Sequence, residues 1–302
     1  MGTALTTILG VVTLVFFLVH LIPGDPVDAI LGDEATAADR AALRAHLRLD
    51  RSLPVQYGLY LRDVASGTLG TSFRERGVSV SSKIAQVYPH TLVLAGAALF
   101  VAILLALPLG AIAAVRRGTA LDGAATAVSL AGLAMPTVWL GPLLIVAFAI
   151  RLGWLPLPGD DDPGLPGLVL PALTLGGALL AILVRLTRTS LLDVMGELYV
   201  TAARARGLAE WLVVGKHALR NALLPVVTVG GAQLGALLGG AVITEKIFER
   251  QGLGTLFLEG FFARDIPVIQ GCVLVTAATF VVLNLLTDLS YGLLDPRIRV
   301  TR

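Results

Sequence analysis

The sequence predicts an all-α integral membrane protein with six transmembrane helices and one long external loop after the first. Three observations carry that expectation. Hydrophobic residues make up 56% of the 302 positions and charged residues 15%, with a mean hydropathy of +0.83. A soluble domain usually carries about a quarter charged residues. The apolar residues gather into runs of roughly 20, the length a helix needs to cross the hydrocarbon core. The runs show no period-two alternation, which argues against a β-barrel and leaves helices to satisfy the backbone in lipid.

The runs are Leu5–Ile22, Thr91–Val115, Ala124–Ile150, Leu168–Leu186, Leu223–Ile243 and Pro267–Leu286. Pro108, Pro136, Pro142 and Pro171 interrupt them, as membrane helices tolerate better than soluble ones. The first run reads as an uncleaved anchor rather than a leader, because Pro23-Gly24-Asp25-Pro26 follows it instead of a small-residue cleavage site. Lys and Arg in the short loops set the orientation. Arg116-Arg117 and the basic stretch 187–222 point inward, and Asp160-Asp161-Asp162 points outward. Both termini are then cytoplasmic.

Residues 23–90 form the large external loop. Thr36-Ala37-Ala38-Asp39 has the pattern of a capping box opening an amphipathic stretch to Leu49. Pro54 suits the first turn of a second helix, 54–65. Val78–Tyr88 reads as a further amphipathic segment lying at the interface. The loop is either a folded cap or a dock for an external solute-binding protein, and its composition does not separate the two.

The inside loop 187–222 is the most informative. Residues 197–206 are good helix formers. Ala202, Ala203 and Ala205 keep the surface slim, Arg204 and Arg206 charge it, and Gly207 suits a helix end with positive φ. A second basic helix, 209–222, leads back to Leu224-Pro225 at the mouth of the fifth span. The short helix is shaped for a partner's groove, and a solvated loop obeying the positive-inside rule is the plainer reading.

Inside the spans, polar residues are few. Asn284 and Asp288, four apart on one helix face, and Thr228 and Gln233 in the fifth span are candidates for a translocation path. Gly231, Gly235 and Gly239 recur every four residues and mark a face for close helix packing.

Catalytic motifs are missing. Gly215-Lys216 is followed by His217 and lacks the first glycine of G-x-x-x-x-G-K-S/T, so this chain has no P-loop for ATP. There is no H-E-x-x-H and no G-x-S-x-G. The single cysteine, Cys272, and four scattered histidines give no metal-ligand spacing. A net charge of +2 gives no indication of a nucleic-acid partner. The chain is therefore not expected to be an enzyme or to hold a cofactor.

Five segments in order along the chain resemble the B-type permease subunits of the dipeptide/oligopeptide/nickel class of ATP-binding-cassette importers. They are HLIPGDPVDAILG at 20–32, LDRSLPVQYGLYLRDVASGTLGTSF at 49–73, PLGAIAAVRRGTALD at 108–122, AMPTVWLGPLLIVAFAIRLGWLPLPG at 134–159 and YGLLDPRIR at 291–299. The family's coupling motif, Glu-Ala-Ala, three residues, Gly, then Leu-Pro, is similar to Thr201-Ala202-Ala203, Gly207 and Leu224-Pro225, with Thr201 in the acidic position.

The resemblance implies a type I importer permease fold in the inner membrane of a prokaryote. It implies an anchor (1–22), an external cap (23–90) and a permease core (91–294). The core helices fall at about 91–115, 124–150, 168–190, 223–243 and 267–290, with a cytoplasmic coupling loop 191–222 and a tail 295–302. It implies a second homologous permease, two ATPase subunits holding ATP and magnesium, and an external solute-binding protein. Tyr199, Thr201, Ala202, Ala203, Arg204, Arg206 and Gly207 would form the coupling helix. The expected solute is a peptide, with a nickel chelate or a glutathione-like thiol as alternatives. A stand-alone secondary transporter or channel is the reading from another class; it calls for paired intramembrane charges or an inverted repeat, and neither is evident.

Overall fold

The computed structural model describes residues 2–20, 25–31, 35–75, 77–160 and 164–294. Its described residues are helices and turns with one isolated bridge, Thr71 opposite Ser79. The end of the first apolar run at 21–22, Pro23-Gly24, Asp161, Asp162 and the tail 295–302 lie outside the described residues. The helices are α1 Gly2–His20, α2 Pro26–Leu31, α3 Ala37–His46, α4 Leu53–Ala65, α5 Val80–Val115 and α6 Ala120–Ala134. Next come α7 Thr137–Leu144, which runs on as a π-helix Ile145–Arg151, then α8 Pro166–Met195 and α9 Leu198–Ala205. The one-turn α10 Glu210–Leu212 passes through a π-helix, Val213–Ala218, into α11 Leu219–Ala232. The last are α12 Leu234–Ile247, α13 Leu253–Ala263 and α14 Ile266–Leu294.

The chain divides into two compact units. The first takes Met1–Leu92 and Arg250–Val281. Its core is Val80 and Ile84 of α5, Leu253 and Leu256 of α13, and Val268 and Cys272 of α14. Buried polar ties lock the same elements. The Asp265 carboxylate accepts from the Ser72 hydroxyl and from the Phe73 N–H at 3.0 Å, pinning the 71–79 turn to the start of α14. Thr91 Oγ1 accepts from the Leu253 N–H at 2.7 Å. The capping box closes as its sequence pattern requires: Thr36 Oγ1 accepts from the Asp39 N–H at 3.2 Å and Asp39 Oδ2 from the Thr36 N–H at 3.1 Å.

The second unit takes Val93–Glu249 and Val282–Arg302. Its core joins Leu94, Ala98, Ala102 and Ala106 of α5 to Leu175, Leu179 and Leu183 of α8, Val226 of α11 and Leu237, Leu238 and Ala241 of α12. Ala98, Ala102, Ala106, Gly110 and Ala114 recur every four residues, so they form one small-residue face along α5. A Cβ on Gly176 would lie 2.7 Å from Ala98 O, and a Cβ on Gly110 would lie 2.6 Å from Thr187 Cβ. Small residues let the α5 and α8 backbones approach this closely, the usual way to gain dispersion energy where lipid removes the hydrophobic drive. Outward-facing side chains are apolar and large, such as Phe100 at 65% and Trp139 at 69% exposure, as a lipid-facing surface requires.

Several expectations change here. Val78–Tyr88 is not a separate interfacial helix, because α5 runs unbroken for 36 residues from Val80 and absorbs it. The third apolar run is not one rod. It is α6 and the α7 segment, bent by 113°, because Pro136 drives Met135 to an extended ψ of 117°. The fifth run passes through Pro225 within α11 and breaks instead at Gln233, among glycines. Among the described residues, four helices are long and apolar enough to cross a membrane, or five if the bent pair is one crossing. Six crossings are not reached by that measure.

Candidate coupling site

An eight-residue helix such as α9 has too few internal hydrogen bonds to persist alone, so its neighbours must hold it. Glu197 enters in an extended conformation (φ −72°, ψ 146°), and Gly207 leaves the C-terminus at φ +75° after Arg206. That φ lies in the left-handed region where only glycine avoids a Cβ penalty.

Between these ends, Val200 and Ala203 point inward. They join a cluster with Ala114 at the end of α5, Leu191 near the end of α8, Val213 and Ala218 of the π-helix, and Ala222 of α11. Burying Val200 contributes about 1.5–3 kcal/mol. Val213 and Ala218 are both fully buried, and their five-residue separation matches the i→i+5 bonding of a π-helix. The separate helix expected over 209–222 is thus α10 and a π-helix running straight into α11.

Polar ties complete the clasp. The Arg204 guanidinium grips Glu210 through two bonds, Nη2 to Oε1 at 2.7 Å and Nε to Oε2 at 3.1 Å. Asn221 Nδ2 donates to Tyr199 Oη at 2.7 Å. Both join α9 to the chain returning toward α11, so α9 is fastened to the ends of α5, α8 and α11.

The opposite face is open. Leu198 is 86% exposed and Tyr199 42%, and Thr201, Ala202, Arg204 and Arg206 are exposed beside them. Of the three alanines expected to keep the surface slim, Ala202 and Ala205 are exposed, whereas Ala203 is buried at 6%. Leu224 and Pro225 are exposed on α11.

Thr228, Gln233 and Asn284 are each half-buried, while the side chain of Asp288 lies outside the described residues. A Cβ on Gly231 would meet Thr287 Cγ2 at 3.0 Å, which brings α11 and α14 together one turn from Asn284. The three glycines of the stripe have different surroundings within the chain. Gly235 is buried on α12, beyond the break at Gln233, and Gly239 has open space around it.

One pairing was not singled out from the sequence. Arg188 of α8 binds Asp122 of α6 through Nε to Oδ1 at 2.6 Å and Nη2 to Oδ2 at 2.9 Å, and the Gly118 N–H donates to the same carboxylate at 3.0 Å. Asp122 is buried at 7% exposure. The available signal was a lone carboxylate two residues before an apolar run, close enough to the span to need a partner.

Among the described residues no three His, Cys, Asp or Glu side chains converge as a metal site. What the geometry offers is mechanical: a clasped helix with one face fixed to three spans and the other bare. The family described as "Binding-protein-dependent transport system inner membrane component" matches residues 106–300, and its N-terminal counterpart matches residues 1–95.

The chain belongs to this family.

Curated relatives agree over nearly the full length. The dipeptide transport system permease protein DppB of Escherichia coli K12 is 39% identical, covering 99% of this chain and 97% of its own. The glutathione transport system permease protein GsiC of Salmonella typhimurium LT2 is 42% identical, covering 97% and 95%. A chain of the MetNI methionine ABC transporter, solved in inward-facing conformations, superposes with a TM-score of 0.57 at 19% identity, over 70% of this chain and 96% of that one. That likeness shows the fold: the type I importer permease, in a multi-pass membrane protein.

Proposed function

We propose that this permease imports peptides or peptide-like thiols across the inner membrane, driven by ATP hydrolysed in partner subunits. In this reading it pairs with a second, homologous permease and two ATP-binding-cassette subunits, which hold ATP and magnesium on the cytoplasmic face. A solute-binding protein delivers cargo from outside, and both chain termini are cytoplasmic. Relatives named for dipeptide and glutathione transport support the solute class, because both carry peptide bonds and free carboxylates.

The observation that carries the reading is the two-faced α9: Val200 and Ala203 locked into the ends of α5, α8 and α11, and Leu198 bare at 86% exposure. A helix built so transmits displacement. Motion of an ATPase groove around Leu198, Thr201 and Ala202 pulls the span ends through the cluster. Solute and nucleotide each act only through contacts that differ between inward-open and outward-open states. Thr228, Gln233 and Asn284, beside the helix break at 233 and the Gly231–Thr287 contact, are the residues we assign to the path, with Asp288 further along α14.

The test is reconstitution of the four membrane subunits in liposomes with the binding protein outside and ATP inside. Labelled dipeptide should accumulate only with ATP and the binding protein, and excess unlabelled glutathione should compete if the thiol peptide is also cargo. Uptake that persists without the ATPase subunits would assign the chain to secondary transport instead.

A further inference from the structure

The helices α6 and α8 touch at two levels. A Cβ on Gly132 would lie 3.5 Å from Ala181 Cβ, and some ten residues earlier on α6 the Asp122–Arg188 pair clamps them at 2.6 Å. Between these contacts the helices part around a cavity of 240 Å³. Its apolar wall is formed by Leu130 and Leu133 of α6 and Ile182 of α8, and its polar wall by Thr126, Thr189 and Arg185. Leu130 and Leu133 are also exposed, at 55% and 47%, so the cavity opens onto an exposed apolar face of α6.

Arg185 is the unusual member. Its neighbour Arg188 spends its charge on Asp122, but among the described residues no carboxylate lies within 4 Å of Arg185. Its depth is fixed by sequence: the apolar run of α8 begins at Leu168, and at 1.5 Å per residue Arg185 stands about 26 Å further along. The hydrocarbon core is about 30 Å thick, which sets the Arg185 Cα just inside its edge, from where the long side chain extends its guanidinium to the lipid phosphates. A cation left without a protein anion there, over an apolar slot and between two hydroxyl-bearing residues, matches a headgroup with its acyl chain beside it. Guanidinium binds phosphate through a planar fork that ammonium lacks.

We propose that this cavity binds one anionic phospholipid, with its phosphate on Arg185 and the glycerol of its headgroup near Thr126 and Thr189. The site needs only the membrane setting of α6 and α8, and is independent of the coupling role of α9.

Native mass spectrometry of the assembled transporter, released from detergent with added phosphatidylglycerol or phosphatidylethanolamine, tests it. Wild type should retain phosphatidylglycerol in preference to phosphatidylethanolamine. Arg185→Gln should lower that retention about fivefold, the weight of one cation near an anionic lipid surface. Arg185→Lys should keep part of it, and Leu130→Trp, which fills the slot while leaving every charge in place, should lower it too. Soluble glycerol 3-phosphate should not compete, which separates a lipid from a free phosphate. Equal retention of the two lipids, unchanged retention in Arg185→Gln and Leu130→Trp, or competition by glycerol 3-phosphate would each overturn the proposal. So would a cross-link from Leu133→Cys to the second permease, which would show protein in the cavity.

Discussion

A methyl group on Gly110 would sit 2.6 Å from Thr187 Cβ and 2.8 Å from Val184 O, both on α8. Backbone cannot retreat as a flexible side chain can, so Gly110→Ala is expected to destabilise the permease by about 1–3 kcal/mol. Gly239 has nothing within 4 Å, so Gly239→Ala should be neutral or slightly stabilising for a helical position. Thermal unfolding of the two variants in detergent reads the difference, and equal melting temperatures would contradict the packing described. The comparison also shows what the sequence conveyed at this scale. Two stripes of small residues with the same spacing were present, at 231–239 and at 98–114. Spacing names a face but not the neighbour that covers it: the α5 stripe meets α8 at Ala98 and Gly110, whereas on the other stripe Gly231 meets α14 and Gly239 meets nothing within 4 Å. The same limit explains Ala202 and Ala203: adjacent residues point about 100° apart on a helix, and only the surroundings decide which is buried. Ala203→Glu therefore reports on packing of the cluster, and Ala202→Glu on the bare face.

The box at α3 was legible because both partners lie within four residues of sequence. The hydroxyl and the N–H of Thr36 hold the Asp39 carboxylate below its usual value. A depressed acid stabilises the fold above its ordinary pKa and loses that contribution as pH falls through the lowered one. Amide protection factors at residues 37–40, corrected for the intrinsic pH dependence of exchange, should accordingly fall in acid below the carboxylate range and stay flat above it, and Asp39→Asn should remove most of that change. The bend between α6 and α7 was hidden in a run of apolar residues. Hydropathy integrates over a window, whereas the turn depends on one proline and the extended residue before it. At α9 the two ends were legible from Gly207 and the helix formers. The clasp was not, since Arg204–Glu210 and Asn221–Tyr199 depend on where the chain returns. Both partners of the Arg204 pair are largely exposed, so a double-mutant cycle should find a coupling under about 1 kcal/mol. Asp122→Asn, which strips a buried carboxylate from Arg188, should loosen the N-terminal end of α6 more than Glu210→Gln loosens α9, as limited proteolysis between 116 and 123 would show.

For the molecule as a whole, composition and run length were enough to define a membrane protein, and motif order along the chain was enough to define its family. The number of crossings was harder to read, because bends at Pro136 and at Gln233 divide what hydropathy joins. We propose that α9, clasped by the ends of three spans with one face left bare, presents that face to the ATPase. Ala203 and Gly207 serve the clasp itself, so the face is probed best at Leu198, which contributes nothing to the cluster and is 86% exposed. The most direct measurement is solute imported per ATP hydrolysed by the reconstituted transporter carrying Leu198→Glu. Membrane insertion and subunit yield should be those of wild type, while import falls about tenfold or more, the loss expected for a central interface residue, and hydrolysis no longer responds to the loaded binding protein. Wild-type import with wild-type stimulation of hydrolysis would contradict the account.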